Sequence, residues 1–127
     1  MIPRIRLGIV FERGDLLLIP FPFSDLSATK KRPVLVLTRP DAYGDFIALA
    51  VTSRPQTDHG IVLAASDLVQ GSLPLASWIR TDRVVTLNAS LVVKGFGRAS
   101  ERIIAAALAR LCAYVEQGGP AAQSSSS

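Results

Sequence analysis

The chain has 127 residues, 49% hydrophobic and 19% charged, with 14 Lys and Arg against 10 Asp and Glu and a formal net charge of +4. This is one domain's length; the single cysteine excludes an internal disulfide or a cysteine metal cluster, and the single histidine excludes a two-histidine ribonuclease or a histidine-built metal site. Eleven of the cations are arginine, whose planar fork fits phosphate oxygens as an ammonium does not.

The start, Met1 to Val10, mixes Arg4 and Arg6 with apolar residues and reads either as a short extra strand or as a loose arm, here bounded at 1–11. It has no long apolar region of the secretory type, and no run in the chain approaches membrane length, so a cytoplasmic protein with no membrane partner is expected. Leu16 to Phe21 is a short apolar run, with Gly14 before it and Pro20 and Pro22 near its end, which favours a strand over a buried helix. A polar loop follows over Ser24 to Thr29. Pro33 to Leu37 predicts a second strand, and Asp45 to Ser53 a third, joined to it by the turn Arg39 to Gly44. In the third, Ile47, Leu49 and Val51 share one face, taken as core, and Phe46, Ala48, Ala50 and Thr52 the other, where small side chains leave room.

Gly60 to Ala64 predicts a short strand, and Asp67 to Val69 a turn of helix or an edge strand. Trp78 to Leu87 predicts a longer strand. Leu91 to Arg98 predicts another, bent or bulged where Gly95 and Gly97 flank Phe96. Ser100 caps a helix with Glu101 in its first turn and an apolar stripe at Ile104, Leu108, Leu111 and Val115. Gly118-Gly119-Pro120 stops it, and the Ser-rich residues 118–127 read as a disordered tail. Cys112, in an Ala/Leu-rich stretch, reads as a small core residue, and His59 as a solvated loop residue. Many short strands and one terminal helix imply a mainly β fold, a small curved barrel with the helix packed on it, over residues 12–117.

Arg32 opens one strand, and Thr52 and Ser53 close the next. If the strands pair antiparallel in the right register, a fixed cation and two hydroxyls meet at one end of a rigid sheet, an arrangement that suits a phosphate. A slip of one residue would send them to opposite faces. The loop from Ser24 to Lys31, with Asp25, is a candidate clamp on RNA beside the site, Lys30 and Lys31 form its phosphate-attracting edge, and Arg54, Arg80, Arg83 and Arg98 are candidates to track a nucleic-acid backbone. Trp78 reads either as half-buried core or dimer contact, or as a stacking platform for a base.

These pieces in this order resemble the MazF/PemK family of toxin endoribonucleases from type II toxin–antitoxin systems. The matching segments are Arg13-Gly14-Asp15, Phe21-Pro22-Phe23-Ser24-Asp25, Lys31 to Leu37, Val51-Thr52-Ser53, Ser77 to Leu87 and Gly97-Arg98. The resemblance implies an SH3-like barrel of the CcdB/PemK kind and metal-independent, sequence-selective cleavage of single-stranded RNA, with no cofactor. It puts the catalytic arginine on Arg32, the catalytic hydroxyl on Thr52 and a neighbouring hydroxyl on Ser53. It also implies a homodimer silenced by a cognate antitoxin. Some members carry an acid in the loop before the arginine; Asp25 is the nearest one here, which leaves the general base unassigned. The chemistry stands without the family name. RNA carries its own nucleophile in the 2′-OH, and attack on phosphorus gives a 2′,3′-cyclic phosphate and a 5′-OH if charge on the phosphoryl oxygens is neutralised. The rival readings are a non-enzymatic gyrase inhibitor on the same barrel and a catalytically inactive RNA-binding module.

Overall fold

The computed structural model describes residues 10–20 and 30–120, and in them seven strands form one antiparallel sheet. The strands are β1 (Asp15–Pro20), β2 (Lys31–Val36), β3 (Asp45–Thr52), β4 (Gly60–Leu63), β5 (Leu68–Gly71), β6 (Ser77–Asn88) and β7 (Lys94–Ala99), followed by one helix, α1 (Glu101–Glu116). Across the sheet the order is β4-β6-β3-β2-β1-β7-β5.

That order dictates a curl. β4 and β5 occupy opposite edges, yet only a 3₁₀ turn at Ala65–Asp67 lies between them in sequence. Five Cα steps from Leu63 to Leu68 span at most about 19 Å, whereas a flat sheet of seven strands spaced about 4.8 Å apart would hold its edges roughly 29 Å apart. The sheet therefore folds round on itself into a partly closed barrel, as its apolar run, turn and strand pattern predicted. Asp67 ties the link down: its carboxylate accepts from the Ala64 N–H at 2.9 Å, and its backbone carbonyl accepts from Ser100 N–H at 2.8 Å.

Both faces of the sheet are buried. On the concave side Leu16, Leu35, Leu49, Val51, Leu63 and Ile79 meet Ile103, Ile104 and Ala107 of α1, and Leu68 of the other edge joins them. On the opposite side lie Leu17, Ile19, Val34, Val36, Phe46, Ala48, Leu87 and Val92. Here the sequence reading needs correction. Leu49 and Val51 are core as expected, but Ile47 is 39% exposed, while Phe46 and Ala48 are fully buried. The room above the small side chains is filled by Phe11, 2% exposed, whose ring meets that of Phe46 edge-on at 4.8 Å between centroids. Alternation tells which residues share a face; it does not tell which face is roofed.

The helix begins as predicted, with the Ser100 hydroxyl accepting from Ile103 N–H at 3.3 Å. Ser100→Ala is expected to cost about 1 kcal/mol, read as a lower urea midpoint at unchanged slope. Its stripe is shifted: Ile103, Ile104 and Ala107 are buried and Leu108 and Leu111 half-buried, but Val115 is 65% exposed and Cys112 is exposed. The last turn has run past the sheet that covers the first three. Tyr114 in that turn instead takes the His59 ring edge-on at 4.8 Å, so the histidine is packed rather than solvated. Leu91, expected to open the last strand, belongs to a 3₁₀ turn over Ala89–Leu91 held by the Asn88 side chain, which accepts from Ser90 N–H. The segments 1–9 and 121–127, with most of the proposed arm and tail, lie outside the described residues, as does the polar loop over Ser24 to Thr29.

Candidate functional site

The register of β2 on β3 brings the two predicted groups together. Val34 pairs with Ala50 and Val36 with Ala48. Arg32 and Thr52 each lie two residues beyond the last of these pairs, Val34 with Ala50, and so at the same end and on the same face of the sheet. Arg32 is also the partner of Ile19 on β1, and Thr52 the partner of Trp78 on β6. Residues paired across a sheet share a face, so Arg32, Thr52 and Trp78 form a row at one end of it. Both Arg32 and Thr52 are half-buried, which limits their side-chain freedom.

The row borders a cleft of about 490 Å³. Arg32, Thr52 and Ser53 all line it, joined by residues from both faces because it opens where the strands end. Among the described residues its lining contains five cations, Lys30, Lys31, Arg32, Arg54 and Lys94, and no carboxylate or imidazole. For a chain with 10 acids this is a marked segregation of charge. The five cations, four of them exposed and Arg32 half-buried, focus a positive field into the cleft, which favours an anion there.

Thr52 is oriented by its own turn. Its hydroxyl oxygen accepts from the Arg54 N–H at 3.1 Å, which leaves the hydroxyl proton free to donate. The same turn puts Ser53 and Arg54 at the cleft. A guanidinium with five donors beside a threonine hydroxyl can contact two or three oxygens of one phosphate.

The other predicted contacts divide. Lys30, Lys31 and Arg54 line the cleft. Trp78 is half-buried beside Thr52 but does not line the cleft. Arg80 is held away from it by Asp82, whose carboxylate accepts two bonds from the guanidinium at 3.0 and 3.3 Å. Arg83 is exposed further along β6, near where its pairing with β3 shifts register. Arg98 is bound to Asp15 at 2.8 Å and to Glu12 at 3.6 Å, joining β7 to β1 rather than facing the cleft. Asp25 lies outside the described residues. Several cleft residues were not singled out as site candidates, among them Leu73, Ser77, Lys94 and Phe96. A signal existed for Phe96. Leu16 pairs with Gly97 and Leu17 with Gly95, so Phe96 is the extra residue of the bulge that the flanking glycines predicted. Among the described residues no group of three His, Cys, Asp or Glu side chains is placed to hold a metal, and no helix is long and apolar enough to cross a membrane.

A curled antiparallel sheet with one C-terminal helix and a cationic cleft at its strand ends defines a small β-barrel of the MazF type. Among solved structures, a MazE–MazF complex from Deinococcus radiodurans is 21% identical, with a TM-score of 0.68 over 88% of this chain and 100% of that chain. An endoribonuclease from a mycobacterial species is 17% identical, with a TM-score of 0.65 over 88% of this chain and 97% of the other. An endoribonuclease in complex with its cognate antitoxin, also mycobacterial, is 16% identical, with a TM-score of 0.65 over 87% and 99%. At these identities the likeness establishes the fold. Comparison with curated proteins by sequence gives no significant match. The sequence profile of PemK-like, MazF-like toxins of type II toxin–antitoxin systems matches residues 12–115, and the chain belongs to that family.

Proposed function

We propose that this chain is an endoribonuclease that cuts single-stranded RNA by metal-independent transesterification, leaving a 2′,3′-cyclic phosphate and a 5′-OH. One observation carries the reading: Arg32 and Thr52, at the ends of neighbouring strands, line a single cleft whose five cations include Arg32 and whose described lining holds no acid. In the reaction the 2′-oxygen bonds to phosphorus as the bond from phosphorus to the 5′-oxygen breaks. Negative charge grows on the two non-bridging oxygens. The Arg32 guanidinium takes it up through charge-assisted hydrogen bonds, and the Thr52 hydroxyl donates to one oxygen. Ser53 offers a further hydroxyl, and Lys30, Lys31 and Arg54 hold the flanking phosphates. Trp78, beside Thr52, is the platform for a base next to the cut. Arg80 and Arg83 contribute at most long-range attraction.

The 2′-OH proton leaves to solvent and the 5′-oxygen gains one, so catalysis rests on charge stabilisation and positioning more than on proton transfer. The cationic cleft also suits an acidic protein tail. The reading includes a cognate antitoxin that covers it, a homodimeric toxin and a cytoplasmic site of action. Two of the similar structures are complexes of a toxin with its antitoxin.

The test is to incubate the purified protein with mixed single-stranded RNA and a chelator and to map both new ends. Discrete cuts ending in cyclic phosphate are expected. Intact RNA, or products with a 5′-phosphate, would reject the mechanism, and capture of gyrase with no RNA cut would favour the inhibitor reading.

A further inference from the structure

The cleft has a second wall that the cleavage chemistry leaves unused. Leu73 and Phe96 line it and pack against the concave-side core, so their positions are set by the fold. As the bulged residue of β7, Phe96 is turned out of the alternation of its strand, a common way to re-aim a side chain. Ser77, at the start of β6, also lines the cleft. It is 5% exposed and, with Thr81, one of two buried polar side chains among the described residues. Its hydroxyl donates to the Leu75 carbonyl at 3.0 Å. A serine hydroxyl has one proton and two lone pairs. With the proton committed to Leu75, Ser77 offers the cleft an acceptor and no donor.

We propose that Leu73, Phe96 and Ser77 form a nucleobase subsite that selects a base carrying an amino group at the position farthest from its sugar. The ligand's identity rests on the RNA-cleaving reading above; the selectivity is read from the residues themselves. Rigid apolar walls accept the flat faces of an unstacked base, and a few fixed polar groups read its edge. The atom that reaches deepest into such a slot is the substituent opposite the sugar bond. In adenine and cytosine it is an amino donor; in guanine and uracil it is a carbonyl acceptor. An amino group completes the hydrogen bonding of Ser77. A carbonyl meets another acceptor out of water, and both lose their partners, a mismatch that sites reject far more strongly than a small change of size. Lys94, on the same strand as Phe96, supplies a cation for the phosphate of the nucleotide so held.

The experiment uses the whole protein and labelled single-stranded 2′-deoxy hexamers, which lack the attacking hydroxyl and stay intact. Adenine is compared with hypoxanthine and cytosine with uracil, pairs that exchange the amino group for a carbonyl. Anisotropy titrations at fixed salt are expected to favour the amino member of each pair by about tenfold. Ser77→Ala is expected to bring both ratios within about twofold, and Phe96→Ala to weaken all four oligomers. Ratios already within twofold in the unaltered protein, or unchanged in folded Ser77→Ala, would overturn the subsite. Base preference without RNA cleavage in the end-mapping assay would keep the subsite and overturn the endoribonuclease reading. Cleavage without base preference would do the reverse, and binding of no oligomer would overturn the subsite.

Discussion

Arg32→Ala is expected to lower RNA cleavage by about 10²–10³-fold, a barrier increase of roughly 3–4 kcal/mol, the usual consequence of removing one preorganised donor from developing charge. The guanidinium is half-buried at the end of β2, and no hydrogen bond or ion pair joins it to another described residue. Its removal is therefore expected to leave the far-UV spectrum and the urea midpoint close to those of the parent. Arg32→Lys separates charge from shape. A lysine keeps the attraction but loses the two-pronged contact, so it is expected to recover only part of the rate. Single-turnover cleavage of one RNA, followed by the cyclic-phosphate end, is the measurement. Activity of Arg32→Ala within tenfold of the parent, about 1.4 kcal/mol of barrier, would remove Arg32 from the mechanism. The same criterion applies to Thr52→Ala.

The second large effect concerns stability. Gly71 ends β5 with φ of +81°, and a Cβ there would stand 2.1 Å from the Phe96 carbonyl oxygen and 2.5 Å from the Gly97 Cα. Both are backbone atoms, so no side chain can swing aside. Gly71→Ala combines a left-handed conformation that costs an L-residue about 1–2 kcal/mol with overpacking of about 1–3 kcal/mol. A loss on the order of 3 kcal/mol is expected, read from the urea midpoint. Gly95→Ala is the matched control. A Cβ at Gly95 would meet nothing closer than Leu17 Cδ2 at 3.5 Å, an ordinary contact, and its effect is expected to stay within about 1 kcal/mol. A Gly71→Ala protein as stable as Gly95→Ala would show that β5 does not lie so close on the bulge of β7. Because Phe96 carries that contact, a folded Gly71→Ala protein should also show weakened base discrimination.

Much of the strand pattern was legible because its punctuation is local. Glycine, proline and aspartate mark the ends of β1, β2 and β3, and the serine cap and double glycine bound α1. That Arg32 and Thr52 lie on the same side of the sheet was legible only as an alternative, since register is decided by which face each strand buries, and both faces of this sheet are buried. Phe11, from outside the two strands, covers one of those faces by packing on Phe46, and nothing near Phe46 announces that ring. The bond of Arg80 to Asp82 was within reach of sequence, because residues two apart on a strand share a face. The bond of Arg98 to Asp15 spans 83 residues and was not. The place of Lys94, Phe96 and Ser77 in the cleft is long-range in the same way, although the glycines flanking Phe96 marked its bulge. They enter the cleft only because the sheet curls, a fact carried by the strand order and by no short motif.

The cleft takes Arg32 from β2, the Thr52 turn from β3, Ser77 from β6 and Phe96 from β7, and β1 is not enclosed until β7 lies beside it. A chain still emerging from the ribosome thus displays its guanidinium and hydroxyl long before the groove around them exists. The order bears on the endoribonuclease reading proposed above. On that reading the groove that seats RNA is finished only when β7 has been made and has paired with β1.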